Sequence, residues 1–297
     1  MELISRREAG KLLLTGYAGA LVAGRSLAGA EKINSVVRGV QLGAQSYSFR
    51  DRPLDAAIDA FRECGLGECE LSEVHVQPPS HMYAELKKWR LEVPLSTFTA
   101  IRQKFDRAGI LLYAYTANIQ ARYTDEEIDK CFKMAQALGV KYMTSSCNIS
   151  AVPRVDKYAQ QYKIIVGLHG HDQTDRPDDV SSPETYDRAL KGTSRYIAIN
   201  LDIGHFVAAG GDPVAFLKEH YKQIVTLHIK DRKKNHGANL PFGQGDTPIT
   251  EVLHMMRDNH WKFPANIEYE YGKDHPELDT IAEVKKCVAF CKQALES

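Results

Sequence analysis

The segment YIAINLDIGHF, residues 196–206, begins as a buried β-strand and ends in a polar turn. Because successive strand residues point to opposite faces, Ile197, Ile199 and Leu201 form an apolar face. Asn200 and Asp202 then lie together on the other face. A buried carboxylate is strongly unfavourable without a partner of opposite charge. The segment therefore predicts a strand whose inner face becomes polar, and in need of positive charge, at its carboxyl end.

The same strand-then-helix rhythm runs through the chain from residue 40 onward. Eight segments have the composition of strands and are separated by amphipathic, helix-like segments. They are residues 40–47, 68–74, 111–118, 141–147, 164–170, 196–204, 224–231 and 264–271. The first strand is not followed by the Gly-rich phosphate loop typical of an open doubly wound sheet. The sequence therefore predicts an α/β protein in which residues 31–297 form a single (β/α)8 TIM barrel.

The last four predicted strands each carry a metal-competent side chain on the inner face near the carboxyl end. Alternation along the strands selects this set: His169, Asp202, His228 and Glu268. A single buried histidine or aspartate is more often a hydrogen-bonded core residue, but four at matching depth are better explained by a shared cation. Barrel enzymes place their chemistry at this end of the strands. Two nitrogen and two oxygen donors predict a site for a divalent transition metal.

Three motifs resemble those of the xylose-isomerase-like TIM barrels, often called sugar phosphate isomerase/epimerase proteins. LDIGHF, LHIKDR and NIEYE, at residues 201–206, 227–232 and 266–270, resemble the family's motifs on strands six, seven and eight. The resemblance implies that Asp202, His228 and Glu268 are metal ligands and that His205 contacts the substrate. It covers essentially the whole chain after residue 30.

Strand five departs from that family. The family usually places a glutamate there, in a sequence like LENH, as ligand and catalytic base, whereas this chain reads LHGH with His169 in that position. Two carboxylates and two neutral imidazoles cancel the charge of a divalent ion, but three carboxylates and one imidazole leave −1. The histidine version predicts a stronger Lewis acid and lacks one of the two opposed carboxylates that epimerisation uses. Elimination is therefore favoured over two-base epimerisation.

These observations predict a metal-dependent isomerase, epimerase or carbon–oxygen lyase that acts on a keto-sugar or glycoside derivative. A base removes the proton next to a metal-bound carbonyl, and loss of a β-substituent cleaves a 3-keto-glycoside. Glu268 is the predicted base, His169 completes the reactive centre, and Lys230 stabilises an oxyanion or exchanges a proton. A salt bridge between Lys230 and Glu270 is the alternative for Lys230. The predicted cofactor is a divalent metal, with Mn favoured over Co, Zn, Fe or Mg.

Six further side chains are predicted to contact the substrate: His205, His171, Arg232, Glu70, His75 and Glu270. Glu70 has inward parity on strand two, for which structural hydrogen bonding is the alternative. His75 lies on a loop at the catalytic face, where a solvated loop residue is equally expected. His236, in the loop after strand seven, is predicted to be a loop residue rather than a ligand.

Residues 1–30 have the composition of a signal peptide. SRR and Lys11 precede an apolar run over residues 12–24, and AGA at residues 28–30 supplies small residues for cleavage. SRR followed by Lys11 resembles a twin-arginine export signal, which predicts a periplasmic or otherwise extracytoplasmic protein. A plain secretory signal or an uncleaved anchor is the alternative. The apolar run is too short to span a bilayer, so no stable membrane span is expected after removal of the signal.

Composition narrows the choice of partners. Thirty-eight basic and 38 acidic residues give a formal net charge of zero. There is no basic face for nucleic acid, which disfavours a phosphodiesterase of the family's endonuclease branch. The expected partner is a small carbohydrate. A non-catalytic sugar-binding barrel remains the main alternative function, and a homo-oligomer is left open.

Overall fold

The computed structural model describes residues 31–297, and the predicted signal peptide at residues 1–30 lies outside the described residues. Eight parallel strands close into a barrel because the first strand pairs with both the second and the eighth. They are β1 Val40–Gln45, β2 Glu68–Leu71, β3 Leu111–Thr116, β4 Tyr142–Ser145, β5 Ile165–His169, β6 Ile197–Asp202, β7 Ile224–Ile229 and β8 Ala265–Ile267. The predicted (β/α)8 barrel is confirmed.

Helices follow the strands and cover the outside of the barrel. They are α1 Leu54–Glu63, α2 Tyr83–Glu92, α3 Leu95–Ala108, α4 Asp125–Ala137, α5 Val152–Tyr162, α6 Pro183–Leu190, α7 Ile203–Ala208, α8 Pro213–His220, α9 Ile249–Asp258 and α10 Thr280–Glu296. A capping box starts α4, where Glu127 N donates to Thr124 Oγ1 (3.3 Å) and Thr124 N donates to Glu127 Oε2 (2.8 Å). None of the helices in residues 31–297 combines the length and apolar composition needed to cross a membrane.

The barrel interior is unusually polar. The layer between strands and helices is apolar, with fully buried residues such as Leu42, Phe132 and Leu227. The inward residues, in contrast, include Glu68, Glu70, Gln45, Thr226, Asn200 and Asn266, each at most 4% exposed. Gln45, Asn200 and Asn266 hydrogen-bond to Glu70, and Asn266 also to Thr226, as buried polar groups require. Glu68 is the exception, since neither of its carboxylate oxygens has a hydrogen-bond partner.

The eighth strand is shorter than the predicted segment, residues 264–271. The hydroxyl of Ser48, just after β1, donates to Ile267 O (3.1 Å) and accepts from Tyr269 N (2.9 Å). Between β1 and β8, the Ser48 side chain thus replaces backbone-to-backbone hydrogen bonds from Ile267 onward. Glu268 stays aligned with the neighbouring strand because its N–H still donates to Ile229 O (3.0 Å). Glu268 therefore lies at the barrel mouth, directly after β8.

Arg90 on α2 joins α4 through a buried ion pair. Its Nη1 lies 2.6 Å from Glu127 Oε1 and its Nη2 donates to Tyr123 Oη (2.6 Å), with both charged side chains at most 5% exposed. Removing one partner of a buried pair leaves the other charge without compensation. We expect Arg90→Met to lower the free energy of unfolding by about 3 kcal/mol. Urea denaturation measures this loss.

The matched control is Arg154→Met. Arg154 pairs with Asp125 at the surface, where the side chains are 37% and 58% exposed. Exposed pairs contribute roughly 0–1 kcal/mol. Equal losses for the two variants would show that the Arg90 pair is not the tie between α2 and α4.

Candidate active site

Four neighbouring strands bring the predicted ligands to one end of the barrel. His169 and Asp202 are the last residues of β5 and β6, His228 lies one residue before the end of β7, and Glu268 follows β8. Asp202 is the direct register partner of His228. Because a closed barrel directs these inward side chains toward its axis, they converge at the carboxyl-end mouth.

Donor atoms from four residues lie close enough to share an ion: His169, Asp202, His205 and Glu268, each within 4.8 Å of the others. Two buried atoms in this cluster, His169 Nδ1 and Asp202 Oδ2, make no hydrogen bond, although the Lys230 ammonium lies 3.1 Å from Asp202 Oδ2. An unpartnered buried nitrogen such as His169 Nδ1 is rare in proteins. Two imidazoles and two carboxylates are a donor set that fits a divalent transition metal.

His205 belongs to this cluster although the sequence suggested only a substrate contact. Helix α7 starts immediately after β6, and Asp202 Oδ1 accepts a hydrogen bond from His205 N (2.7 Å). This cap turns the first helical turn back over the end of β6. The His205 ring therefore lies beside the side chain that caps it.

His228 lies at the edge of the cluster. Its Nδ1 is 3.2 Å from Glu268 Oε2 and 3.9 Å from Asp202 Oδ2, while its Nε2 is 3.0 Å from Glu70 Oε1. Burial disfavours the charged ring, but the carboxylates of Glu70 and Glu268 outweigh burial and raise the pKa of His228. Glu70 thus holds the ring at Nε2, as carboxylates do behind metal-ligating histidines, while Nδ1 faces Glu268.

Glu70 supports His228. It has no exposed surface, and its Oε1 accepts from Thr144 Oγ1 (2.6 Å) and Thr116 Oγ1 (3.1 Å) as well as meeting His228. These contacts are the structural hydrogen bonds that the sequence offered as the alternative role of Glu70. The residue also belongs to the lining of the cavity described below.

We expect Glu70→Gln to weaken metal binding by about tenfold to a hundredfold, as observed for partners of metal-ligating histidines. The amide keeps the shape of the side chain but removes the charge behind His228. Isothermal titration with Mn²⁺ measures the change. Glu68→Gln is the matched control because Glu68 is equally buried on the same strand and forms no hydrogen bond to His228. If Glu68→Gln weakened Mn²⁺ binding as much as Glu70→Gln does, the loss would come from removing any carboxylate inside the barrel and not from the contact with His228.

His169 and His171 are both held neutral. Burial lowers the pKa of His171 to about 4, with help from His205 and Lys230. Burial, followed by the neighbouring His228 and His171, lowers the pKa of His169 well below its usual range. Their ring centroids are 4.7 Å apart. A neutral imidazole at the mouth can bind a metal ion, or accept a hydrogen bond from a hydroxyl group, without first losing a proton.

Lys230 lies inside the cluster. Its Nζ is 2.7 Å from Glu268 Oε2, 2.7 Å from Glu270 Oε2 and 3.1 Å from Asp202 Oδ2. The side chain is 2% exposed. Burial opposes the ammonium, yet the carboxylates of Asp202, Glu268 and Glu270 raise its pKa. The ion pair with Glu270 that the sequence left open is thus present, together with contacts to two predicted metal ligands.

Arg232 is tied to a residue that the sequence did not indicate. Arg232 Nη1 lies 3.0 Å from Asp172 Oδ1 and 2.7 Å from His205 Nδ1. A hydrogen bond from His205 and then the Arg232 guanidinium lower the pKa of Asp172 despite burial. His236 Nδ1 lies 3.4 Å from Asp172 Oδ2 on the exposed rim. Asp172 thus holds Arg232 and His205 in place above the cluster.

A polar cavity of about 530 Å³ opens above these residues, within the usual size of small-molecule sites. Five of the six side chains predicted to contact the substrate line it: Glu70, His171, His205, Arg232 and Glu270. The lining also includes residues that parity did not single out: Glu73, Asn118, Gln120, Ser146, Asn239 and Lys273. These come from loops or strand ends, where alternation no longer specifies direction.

His75 is not part of the cavity wall, and its predicted substrate contact is corrected. Its Nδ1 is 3.0 Å from Ser46 Oγ and its Nε2 is 3.2 Å from Phe49 O. Both ring nitrogens are therefore used to fasten the loop after β2 to the turn after β1. His75 has a structural role.

Comparisons with known proteins agree with this architecture. The family model described as xylose isomerase-like TIM barrel matches residues 116–291, more than half of the chain. The rhizopine catabolism protein MocC of Rhizobium meliloti is 40% identical over 52 residues, which are 18% of this chain and 16% of that protein.

Three solved structures share the fold at low sequence identity. A sugar phosphate isomerase/epimerase from Parabacteroides distasonis is 16% identical, with a TM-score of 0.64 over 90% of this chain and 99% of that one. The IOLI protein, solved with a zinc atom, is 16% identical, with a TM-score of 0.64 over 86% and 98%. The probable 3-DHS dehydratase AsbF of Bacillus anthracis is 15% identical, with a TM-score of 0.62 over 84% and 98%. With the family match extending from the end of β3 into α10, the chain belongs to the xylose isomerase-like TIM barrel family.

Proposed function

We propose that this protein is a divalent-metal-dependent enzyme that acts on a keto-sugar or glycoside derivative, with elimination from a 3-keto-glycoside as the favoured reaction. The observation that carries the proposal is the donor cluster at the barrel mouth, where His169 Nδ1 and Asp202 Oδ2 are buried without a hydrogen bond. The adjoining cavity is lined largely by polar side chains that suit sugar hydroxyls. Structural relatives with isomerase and dehydratase names are consistent with this class of chemistry.

The donor atoms that could share the metal belong to His169, Asp202, His205 and Glu268. His228, which the sequence also predicted as a ligand, would join them from beside Glu268, where its Nδ1 lies 3.2 Å from Oε2. When bound, a divalent ion supplies electrophilic stabilisation to a substrate carbonyl and to the negative charge formed next to it. The mixed nitrogen and oxygen donors favour Mn²⁺, Co²⁺, Fe²⁺ or Zn²⁺ over Mg²⁺, which prefers oxygen. Mn²⁺ is the ion that we would test first.

Glu268 is the proposed base. Burial disfavours its ionised form, but Lys230 and His228 overcome burial and hold the pKa of Glu268 well below its usual range. The carboxylate is therefore ionised at neutral pH, which is the state that a general base requires. It removes the proton from the carbon next to the carbonyl. The electron pair of the broken carbon–hydrogen bond then forms the new carbon–carbon double bond, and the bond to the leaving oxygen breaks.

Lys230 is the proposed acid for the leaving group. Its ammonium lies 2.7 Å from Glu268 and 2.7 Å from Glu270, so it borders both the base and the cavity. Donating a proton to the departing oxygen releases a neutral alcohol. Glu268 gains one proton in this reaction and Lys230 loses one. Transfer of a proton from Glu268 to Lys230 therefore restores the starting state of the site.

Incubation of the metal-loaded protein with keto-sugars and 3-keto-glycosides in D₂O tests the proposal. Release of the aglycone with formation of an enone supports elimination. Deuterium uptake at the carbon next to the carbonyl without bond cleavage would place isomerisation or epimerisation first. Saturable sugar binding without exchange or cleavage, with each metal in turn, would overturn the enzyme proposal in favour of a sugar-binding barrel.

We also propose that the protein acts outside the cytoplasm, on the basis of the pattern in residues 1–30. Replacing Arg6 and Arg7 with lysine blocks twin-arginine export but leaves a general secretory signal usable. Fractionation of cells that express each form, with mass spectrometry of the mature N-terminus, measures the effect. Equal periplasmic amounts of both forms would exclude the twin-arginine route.

A further inference from the structure

We propose that the Lys230 ammonium is a resident cation of the metal site, which a divalent ion must displace toward Glu270. The inference rests on the proposed metal-dependent function. It concerns how the site exchanges one cation for another, and it assigns Glu270 the role of retaining the displaced lysine.

The ammonium contacts the same atoms that the metal would use. Lys230 Nζ lies 3.1 Å from Asp202 Oδ2 and 2.7 Å from Glu268 Oε2. Asp202 Oδ2 makes no hydrogen bond, so the ammonium is its nearest compensation. Two positive charges at such separations repel strongly in a site shielded from water. The ammonium and a divalent ion are therefore alternative occupants of the space between these carboxylates.

Glu270 offers the displaced lysine a second anchor. Its Oε2 lies 2.7 Å from Nζ, and its side chain is 19% exposed toward the cavity, compared with 8% for Glu268. Glu270 does not belong to the group of donors that could share an ion. A small rotation of the lysine side chain can thus free Asp202 and Glu268 while the pair with Glu270 persists.

His205 supplies an independent indication. Arg232 Nη1 lies 2.7 Å from His205 Nδ1, and Lys230 Nζ lies 3.0 Å from His205 Nε2. Both partners are donors, but a neutral imidazole has one nitrogen that accepts. With the proton on Nδ1, which lies 3.5 Å from Asp172 Oδ1, Nε2 accepts a hydrogen bond from Lys230. The ammonium therefore also occupies a donor atom of the cluster, which its displacement would leave free for the metal.

A double-mutant cycle on metal affinity tests the inference. Lys230→Met is expected to bind Mn²⁺ at least about tenfold more tightly than the wild type, measured by titration calorimetry and by the electron paramagnetic resonance of free Mn²⁺. Glu270→Gln is expected to weaken binding by about tenfold in the wild-type background. In the Lys230→Met background the Glu270→Gln effect should be at least about threefold smaller, since no lysine then needs an anchor.

Lys233→Met is the control for loss of a lysine charge nearby, because Lys233 is 48% exposed and pairs with Asp246. It should leave Mn²⁺ affinity unchanged. Lys230→Gln, which keeps a polar side chain, serves as the second variant if Lys230→Met does not fold, and it should also bind more tightly.

The outcomes separate this inference from the proposed function. The proposed displacement of Lys230 would be wrong if the Lys230 variants bound Mn²⁺ as tightly as the wild type or less tightly. Equal Glu270→Gln effects in both backgrounds would remove the anchoring role. If wild type and all variants fail to bind any tested divalent ion, the metal-dependent function itself is wrong.

Discussion

Glu268→Gln is expected to lower turnover of a 3-keto-glycoside by about 10³-fold, the range found when a general base is removed. Glutamine keeps the shape of Glu268 but cannot accept a proton. The substitution also removes the carboxylate that lies 3.2 Å from His228 Nδ1 and 2.7 Å from Lys230 Nζ. Turnover at saturating substrate, together with deuterium exchange at the carbon next to the carbonyl, measures the loss.

The control is Glu277→Gln, because Glu277 is 67% exposed and is not among the residues that line the cavity. It should leave turnover unchanged. Metal occupancy of the Glu268→Gln protein separates the two roles given to Glu268. A protein that retains metal but loses exchange identifies the base, whereas parallel loss of both identifies mainly a ligand. A loss of turnover below about tenfold would leave neither role in place.

The barrel could be predicted because its strands have a strong local pattern. Ile197, Ile199 and Leu201 alternate with smaller or polar residues, and all are at most 5% exposed between sheet and helices. The same alternation selected Asp202 and His228, which the structure pairs in register. Inward direction is a local property of a strand, so His169, Asp202 and His228 near the ends of β5, β6 and β7 could be placed without knowledge of their neighbours.

Residues outside the strands could not be placed in this way. Asp172 follows the end of β5 in a loop, and its contacts to Arg232 and His205 depend on the segment after β7 and on helix α7. Glu73 accepts hydrogen bonds from Asn118 N (3.2 Å) and Asn118 Nδ2 (2.9 Å) between the segments that follow β2 and β3, which no short-range pattern encodes. Strand parity specifies which face of the sheet a side chain lies on. It gives no information about contacts between residues that lie outside the strands.

Direction alone also does not determine what an inward residue contacts. Glu70 and Glu268 have the same inward direction, but Glu70 meets His228 at Nε2 and Glu268 meets it at Nδ1. Which partner an inward residue meets depends on the stagger of all eight strands. The sequence therefore identified both carboxylates and left the role of Glu70 open between substrate contact and structural hydrogen bonding.

His169→Glu is expected to slow elimination by about 10²-fold, similar to the loss of one preorganised electrostatic contact in other enzymes. His169 Nδ1 is buried without a hydrogen bond and belongs to the donor cluster. A third carboxylate takes the ligand set plus a divalent ion from zero charge to −1, which weakens stabilisation of negative charge on the substrate. It also provides a second carboxylate for proton exchange.

Proton nuclear magnetic resonance of the products in D₂O measures how the reaction divides between elimination and epimerisation. We expect the variant to release less aglycone and to form a detectable epimer. His275→Glu is the control, since His275 is 57% exposed and should change neither product. If His169→Glu changed neither the rate of elimination nor the rate of deuterium exchange, His169 would not be a ligand. The departure of strand five from the family pattern would then have no catalytic consequence. A shift toward the epimer would instead show that the charge of the ligand set selects between two reactions that begin with the same proton removal.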